Sequence, residues 1–409
     1  MTPNSRDRAV LSGVVFTVLF AQVLLYPGIP DLVVALGGTP AGWGSDVGAI
    51  LDAGKWFLTA EFLGFVLCAG LWGAFSDATG SRTPLIVTGA VVGAGGYLAL
   101  AVVPTVASLP YSGVLAIRFL QGAATIGAFS LAITTLMDLS GGGGRNMGAA
   151  GLAIGAGTAV GSPVGGVLSG IGPLVPLYAA ALVLGAAGVL AMLATDRAPS
   201  PTHNSPVAVV LGLWGQPSLS VPFAFGFVDR LTAGFFALVG TVYFQSAFDL
   251  DAGGTGLLLG AFFAPFALLQ YPFGRLSDQI GRVIPVAAGS LLYGFAVIGV
   301  YYAPTAPGAG SVMVVVGILG ALVAPATMAL VSDLAAPDER GVAMGGFNVF
   351  GSLGFLTGIV GGATVATAVG FQAAFFAVGF AEIALAIVLF PVLLQLDVPA
   401  GLGESIGGE

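Results

Sequence analysis

Apolar runs of twenty or more residues recur along the whole of this 409-residue chain, and few charges interrupt them. A bilayer core about 30 Å thick takes roughly 20 apolar residues per helix. Helices also satisfy their own backbone hydrogen bonds where no water can. Twelve such segments can be read, near 9–36, 52–76, 84–106, 113–137, 146–168, 173–195, 219–245, 253–275, 284–303, 311–333, 344–368 and 372–395. Charged residues make up 7% of the chain and hydrophobic ones 57%, whereas a soluble domain carries about 25% charged residues. The supply is too small for a water-facing surface, so the expected fold is an all-α membrane protein of twelve transmembrane helices. The opening "MTPNSRDR" leads into an apolar run too long for a cleaved signal segment, so the first helix is expected to remain. A single cysteine, Cys68, rules out a disulfide framework.

The positions of the few basic residues set the expected orientation. With the N-terminus inside, Arg6, Arg8, Arg82, Arg145, Arg197, Arg275, Arg282 and Arg340 all fall on the cytoplasmic side, and Lys55 alone falls outside. Both termini are therefore expected in the cytoplasm of a multi-pass plasma-membrane protein. A net charge of −8 without any basic patch leaves nothing to neutralise phosphates, so no nucleic-acid partner is expected. The polar stretch "TDRAPSPTHNSP" (195–206) reads as a connection between halves. The expected division is an N-terminal six-helix bundle over 1–195, a cytoplasmic linker over 196–218, and a C-terminal six-helix bundle with a short acidic tail over 219–409.

The two halves repeat. "GAFSDATGSR" (73–82) and "GRLSDQIGR" (274–282) place Asp77 and Asp278 201 residues apart. "DLSGGGGR" and "DLAAPDER" place Asp138 and Asp333, and likewise Arg145 and Arg340, 195 residues apart. The fifth segment carries Gly157, Gly161 and Gly165, and the eleventh carries Gly354, Gly358 and Gly362. Chance can produce one glycine ladder among 66 glycines, but not three features in one order at a nearly constant offset. The chain reads as a duplication that makes two pseudo-symmetric six-helix bundles.

The repeated phrase, Gly-x-x-x-Asp-x-x-Gly with an Arg just after, between the second and third helices of each half, resembles the signature loop of the major facilitator superfamily. Gly274, Arg275, Asp278, Gly281 and Arg282 give the fuller match. In the first copy, Gly73, Asp77, Gly80 and Arg82 match, but Ala78 and Ser81 stand where basic residues are usual. The resemblance implies that these loops, with Asp138, Arg145, Asp333 and Arg340, form a cytoplasmic gate. Carboxylates would sit at helix ends, Arg would supply breakable contacts, and Gly would let helices approach. "RFLQG" (118–122) resembles the Arg-x-x-Gln-Gly motif of proton-coupled drug exporters. "GTAVGSPVGG" (157–166), with Gly157, Gly161, Pro163, Gly165 and Gly166, resembles the Gly/Pro-rich packing motif of the family's antiporters, although Ser162 replaces a usual Gly. "GAGTAVG" also imitates a dinucleotide fingerprint, but no strand precedes it and it lies within a membrane span.

Ionisable residues within the membrane are costly and are functional candidates by default. They are Glu61, Arg118, Asp229, Arg230 and Glu382, while Asp31 lies at the interfacial end of the first segment. At about 1.5 Å per residue, Glu61 and Arg118 come to similar depth, roughly 8–9 Å below the outer face. They are expected to pair, and burial and a neighbouring Arg would press on the carboxylate charge in opposite directions. Adjacent helical residues point about 100° apart, so Asp229 and Arg230 should not face each other. Arg230 is expected to meet Glu382, with Asp229 left for substrate or proton. The family's arrangement implies that Arg118 and Asp229 line the cavity and that Glu382 is a structural partner. Gln121, the Gln of the exporter-like motif, joins the candidate transport and proton-coupling residues.

The leading expectation is a secondary active transporter working by alternating access, exporting a small apolar or amphiphilic compound in exchange for protons. Its partners would be that compound, protons and lipid, with a monomer as the working unit, no cofactor and no metal. A metabolite symporter or uniporter on the same fold, and a non-transporting membrane sensor, remain alternatives. An enzyme is not expected: the one histidine, His203, lies in the linker and the one cysteine in a helix, so no metal cluster or Ser–His pair can form. No P-loop lysine is present for ATP-driven pumping.

Overall fold

The computed structural model describes residues 3–39, 46–107, 109–139, 143–196, 217–335 and 340–396. Among these every regular element is helical. They are α1 (Pro3–Val23), α2 (Ile29–Ala35), α3 (Val47–Thr79), α4 (Thr83–Val106), α5 (Tyr111–Asp138), α6 (Gly143–Ile171), α7 (Val175–Ala191), α8 (Ser220–Phe235), α9 (Thr241–Phe248), α10 (Ala252–Ile280), α11 (Val283–Tyr301), α12 (Ala306–Leu334), α13 (Arg340–Val369) and α14 (Phe371–Leu393). Eleven spans are long and apolar enough to cross a membrane, and the 17-residue α7 is shorter and equally apolar. Each of the twelve expected segments has its helix. The protein is an all-α, multi-pass membrane protein built as two six-helix bundles.

Two expected helices are interrupted. The first bends at a tight turn over Tyr26–Gly28 before α2 resumes. Pro27 falls at the start of this turn and Pro30 in the first turn of α2, where a missing N–H costs nothing. The seventh loosens into a π-helical turn over Phe236–Gly240 between α8 and α9. Helix ends elsewhere follow side-chain chemistry. Asp46 caps α3 by accepting from the Ala49 N–H at 2.7 Å, and Thr305 caps α12 through the Gly308 N–H at 3.2 Å.

The chain forms two compact units, one of residues 1–203 with 241–260 and the other of 204–240 with 261–409. Of the linker expected over 196–218, residues 197–216 lie outside the described residues, as does the tail beyond 396. Lipid removes most of the hydrophobic drive between helices, so close backbone packing at small residues takes its place. The ladder of α6 shows this. A Cβ on Gly157 would meet the Phe16 carbonyl oxygen at 2.7 Å, one on Gly161 the Phe20 oxygen at 3.1 Å, and one on Gly165 the Leu24 oxygen. Carbonyls one turn apart along α1 and the residue just past its end thus face glycines one turn apart on α6. The second unit repeats the device, with Gly354, Gly358 and Gly362 of α13 set against Phe227, Leu231 and Phe235 of α8. Within the first unit, Gly166 packs on Ala252 of α10, and Pro163 lies over Gly260. In the second unit, Val221 and Phe225 of α8 join Val286, Ala287, Ala326, Leu330 and Leu393 in a core contributed by four helices.

Candidate functional site

In the first unit, α5 is gripped by α3 on one side and α4 on the other. A Cβ on Gly64 would strike the Phe119 oxygen at 2.6 Å, and one on Gly122 would strike the Glu61 backbone. From α4, Gly96 abuts Gln121 and Gly93 abuts Thr125. This contact carries the Glu61 and Arg118 side chains to one point between the helices. Both are wholly buried, and Arg118 Nη2 donates to Glu61 Oε2 at 2.5 Å. Arg118 Nη1 donates to Gln121 Oε1 at 2.6 Å, and Gln121 Nε2 donates to Thr125 Oγ1 at 2.8 Å. The guanidinium also lies 4.6 Å from the Phe57 ring and 5.4 Å from the Tyr97 ring, within cation–π range. Gln22 and Tyr97 neighbour the carboxylate. Even so, Glu61 Oε1, Arg118 Nε and the Tyr97 hydroxyl make no well-formed hydrogen bond. Such unmet buried capacity is rare and calls for an explanation.

The second unit arranges its charges differently. Asp229 and Arg230 on α8 are half-buried, and neither makes a hydrogen bond or ion pair with a described residue. The Arg230 side chain lies along Gly351 of α13. The expected Arg230–Glu382 pair does not form. The Glu382 carboxylate, 1% exposed, instead lies within hydrogen-bond reach of two hydroxyls, with Oε1 3.3 Å from Thr232 Oγ1 and Oε2 against Ser290 Oγ. The reason is rotational: Thr232, three residues after Asp229, faces α14, while Arg230 runs toward α13. Asp31 is exposed in the first turn of α2.

At the repeated loops, Arg82 pairs with Asp138. Arg282 meets Asp333 at 3.0 Å, Asp278 at 2.5 Å and the Ser277 hydroxyl at 2.7 Å. Burial acts to lower the basicity of Arg282, but Asp333 and Asp278 outweigh it and hold the guanidinium above the usual arginine range. Asp77 is exposed and makes no hydrogen bond among the described residues. The side chains of Arg145 and Arg340 lie outside the described residues. The glycines need correcting. The space beside Gly73 is open, and Gly274 has only an ordinary contact with Pro325 at 3.7 Å, so neither serves close helix approach. Gly80 and Gly281 instead take left-handed conformations, with φ of 61° and 83°, which end α3 and α10 at no steric cost.

A polar network next to the first loop has no counterpart in the sequence reading. The start of α4 lacks a side-chain cap of its own. Asp196, just past α7, supplies one from 114 residues away, accepting from the Arg82 N–H at 2.9 Å, the Thr83 N–H at 3.2 Å and the Ser81 hydroxyl at 2.6 Å. Burial acts to raise its carboxyl, but these hydrogen bonds and the Arg82 charge outweigh it and hold the group below the ordinary aspartate value. Buried Asp7 accepts from Thr195, and Arg8 donates to Asn146 at 2.7 Å.

Comparison with known proteins gives these features a setting. A tetracycline resistance protein, class G, from Vibrio anguillarum is 27% identical over 310 residues, spanning 72% of this chain and 76% of that protein. An uncharacterised MFS-type transporter from Methanocaldococcus jannaschii is 31% identical over 168 residues, which is 40% of this chain and 42% of that protein. Solved structures with the same fold include the human organic anion transporter MFSD10, with a TM-score of 0.72 and 20% identity over 96% of this chain and 100% of that one. A bacterial homologue of the human lysosomal transporter Spinster gives a TM-score of 0.77 at 11% identity over 97% of each chain. A family model described as the Major Facilitator Superfamily matches residues 11–245 and 222–407, covering both repeats. The twelve helices, duplicated loops and paired glycine ladders are therefore those of a membrane transporter of small molecules, and the chain belongs to the Major Facilitator Superfamily.

Proposed function

We propose that this transporter exports a small apolar or amphiphilic compound in exchange for protons, by alternating access across the plasma membrane, as a monomer with both termini in the cytoplasm. The observation that carries the reading is the Glu61–Arg118–Gln121 cluster, wholly buried within the first unit and built on the Arg-x-x-Gln-Gly stretch. Similarity to a tetracycline resistance protein supports a drug-like substrate class. Arg118 neutralises Glu61 while the two touch. When Arg118 turns to another partner, Glu61 is left buried without a cation and takes a proton, because an unpaired charge there is too costly. The unpartnered Oε1 gives that proton a place. Asp229 and Arg230, half-buried and without hydrogen-bond partners among the described residues, are candidates in the second unit for contact with substrate. The Arg82–Asp138 and Arg282–Asp278–Asp333 contacts, with Asp77, serve as the cytoplasmic gate.

Proteoliposomes test the reading. With tetracycline as probe, an imposed proton gradient should drive uphill accumulation in the wild type. Glu61→Gln should retain exchange of tetracycline but lose accumulation. Uphill transport by Glu61→Gln with unchanged proton dependence would place coupling elsewhere, and flux indifferent to the gradient would make the protein a uniporter.

A further inference from the structure

Among the described residues two glutamates are completely buried, and they have opposite surroundings. Glu61 has an arginine; Glu382 has two hydroxyls and, among the described residues, no cation in contact. The site around Glu382 is built by a close crossing of α11 and α14. A Cβ on Gly379 would meet the Gly294 oxygen at 2.7 Å, and one on Gly294 would meet the Glu382 Cβ at 3.0 Å. The crossing presses the carboxyl onto Ser290, one turn before Gly294, while Thr232 of α8 closes the other side. Ser290 and Thr232 are both fully buried.

Counting hydrogens shows what the site lacks. Thr232 has one hydroxyl hydrogen and two acceptors in range, the Val228 carbonyl at 3.4 Å and Glu382 Oε1 at 3.3 Å. Bonding back to the residue four before it is the usual habit of a helical threonine. If Thr232 does so, the contact with Glu382 needs a hydrogen from the carboxyl itself. Charge gives the same answer. The charged group acting on Glu382 is a second carboxylate, Asp229 of α8, and Tyr293 of α11 lies in the field of both. Arg230 acts on Asp229 and lies against α13. The third helix packed on α14 is α13, whose described side chains include no titratable group. A buried carboxylate facing only hydroxyls and another carboxylate needs one positive charge to balance it.

We propose that Glu382 is a proton-binding site of the second unit, its proton carried on Oε1 and donated to Thr232 Oγ1 while Ser290 donates to Oε2. Binding and release of that proton then reports the packing of α8 on α11 and α14, because a shift of α8 removes Thr232. The site is separate from Glu61, and its proton can be detected without substrate or a gradient. Loss of export activity would therefore leave it standing, and its failure would leave the export reading standing.

Infrared difference spectroscopy of the purified full-length protein tests it. The wild type should show the carbonyl stretch of a protonated buried carboxyl, and Glu382→Gln should lack it. Asp229→Asn should keep the band. If Glu382→Gln does not fold, Thr232→Val and Ser290→Ala retain the carboxyl and should each shift the band by removing a hydrogen bond. A band that survives Glu382→Gln, that vanishes in Asp229→Asn, or that is unmoved by both hydroxyl substitutions overturns the proposal. Exchange of choline for sodium is the remaining arm: a band abolished by added sodium would assign the site to that ion instead.

Discussion

Arg118 has no exposed surface, so its charge depends on what surrounds it. Removing the partner of a buried ion pair typically costs about 3–5 kcal/mol, because the remaining charge is left uncompensated. Glu61→Ala is therefore expected to lower the thermal unfolding midpoint in detergent sharply, and Glu61→Ala with Arg118→Met should recover most of the loss. A double variant no better than Glu61→Ala would mean that the pair is not the source of the cost. Asp196 gives a pH dependence of known sign. Its folded carboxyl lies below the ordinary aspartate value, so its contribution is complete above the unfolded value and is lost as pH falls through the folded one. Wild type should exceed Asp196→Ala in stability by about 1 kcal/mol at neutral pH, the usual scale of a helix cap. The two should converge in acid, as thermal scans across pH would show. The buried pair was legible in the sequence because two charges stood out in apolar segments at matching depth. Asp196 was not, since nothing local links it to the helix start it caps. Glu382 was seen, but its partners were hydroxyls, which leave no mark in so apolar a sequence.

At the scale of the helix, glycine carries much of the information, and its meaning depends on what lies opposite. Gly358 and Gly361 share α13, yet a Cβ on Gly358 would strike the Leu231 oxygen and the Phe235 nitrogen at 2.8 Å, whereas one on Gly361 would have only Thr357 at 3.9 Å. Gly358→Ala should destabilise by about 1–3 kcal/mol, as overpacking does, while Gly361→Ala should be neutral or slightly stabilising. Equal effects on the unfolding midpoint would show that the ladder does not set the α8–α13 spacing. Four-residue spacing made both ladders readable beforehand. The same residue type misled at Gly73 and Gly274, where the sequence could not show that the space is open. It also hid the work of Gly80 and Gly281, because a left-handed φ is a property of the chain's path. The break at Tyr26–Gly28 had its prolines in view, but the segment was apolar enough to read as a single helix.

Across the whole molecule, the duplication was the most legible feature, since offsets of 195 and 201 residues survive any error in helix boundaries. Contacts add a division that the repeat does not contain, because residues 241–260 group with the first unit while 219–240 belong to the second. Periodicity and composition cannot reveal this, as both describe a segment and not its neighbours. The duplicated loops allow a comparison within one protein. The Arg82 guanidinium pairs with one carboxylate, Asp138, whereas that of Arg282 pairs with Asp333 and Asp278, whose side chains are 25% and 56% exposed. Exposed pairs contribute about 0–1 kcal/mol, so Asp278→Asn should change little and Asp333→Asn more. Asp138→Asn should have the largest effect, because it leaves Arg82, only 4% exposed, without its carboxylate. About 1 kcal/mol is a fivefold change in the ratio of two states. That is enough to alter a transporter whose two access states are nearly balanced. The measurement is the rate of thiol labelling at single cysteines placed beside each loop in a Cys68→Ser background, taken together with tetracycline flux. Reversing Arg82 and Asp138 together should restore labelling and flux toward wild type if the contact itself sets the balance. If the reversed pair behaves like the worse single variant, Arg82 acts through its surroundings, and the loops fix helix geometry without gating.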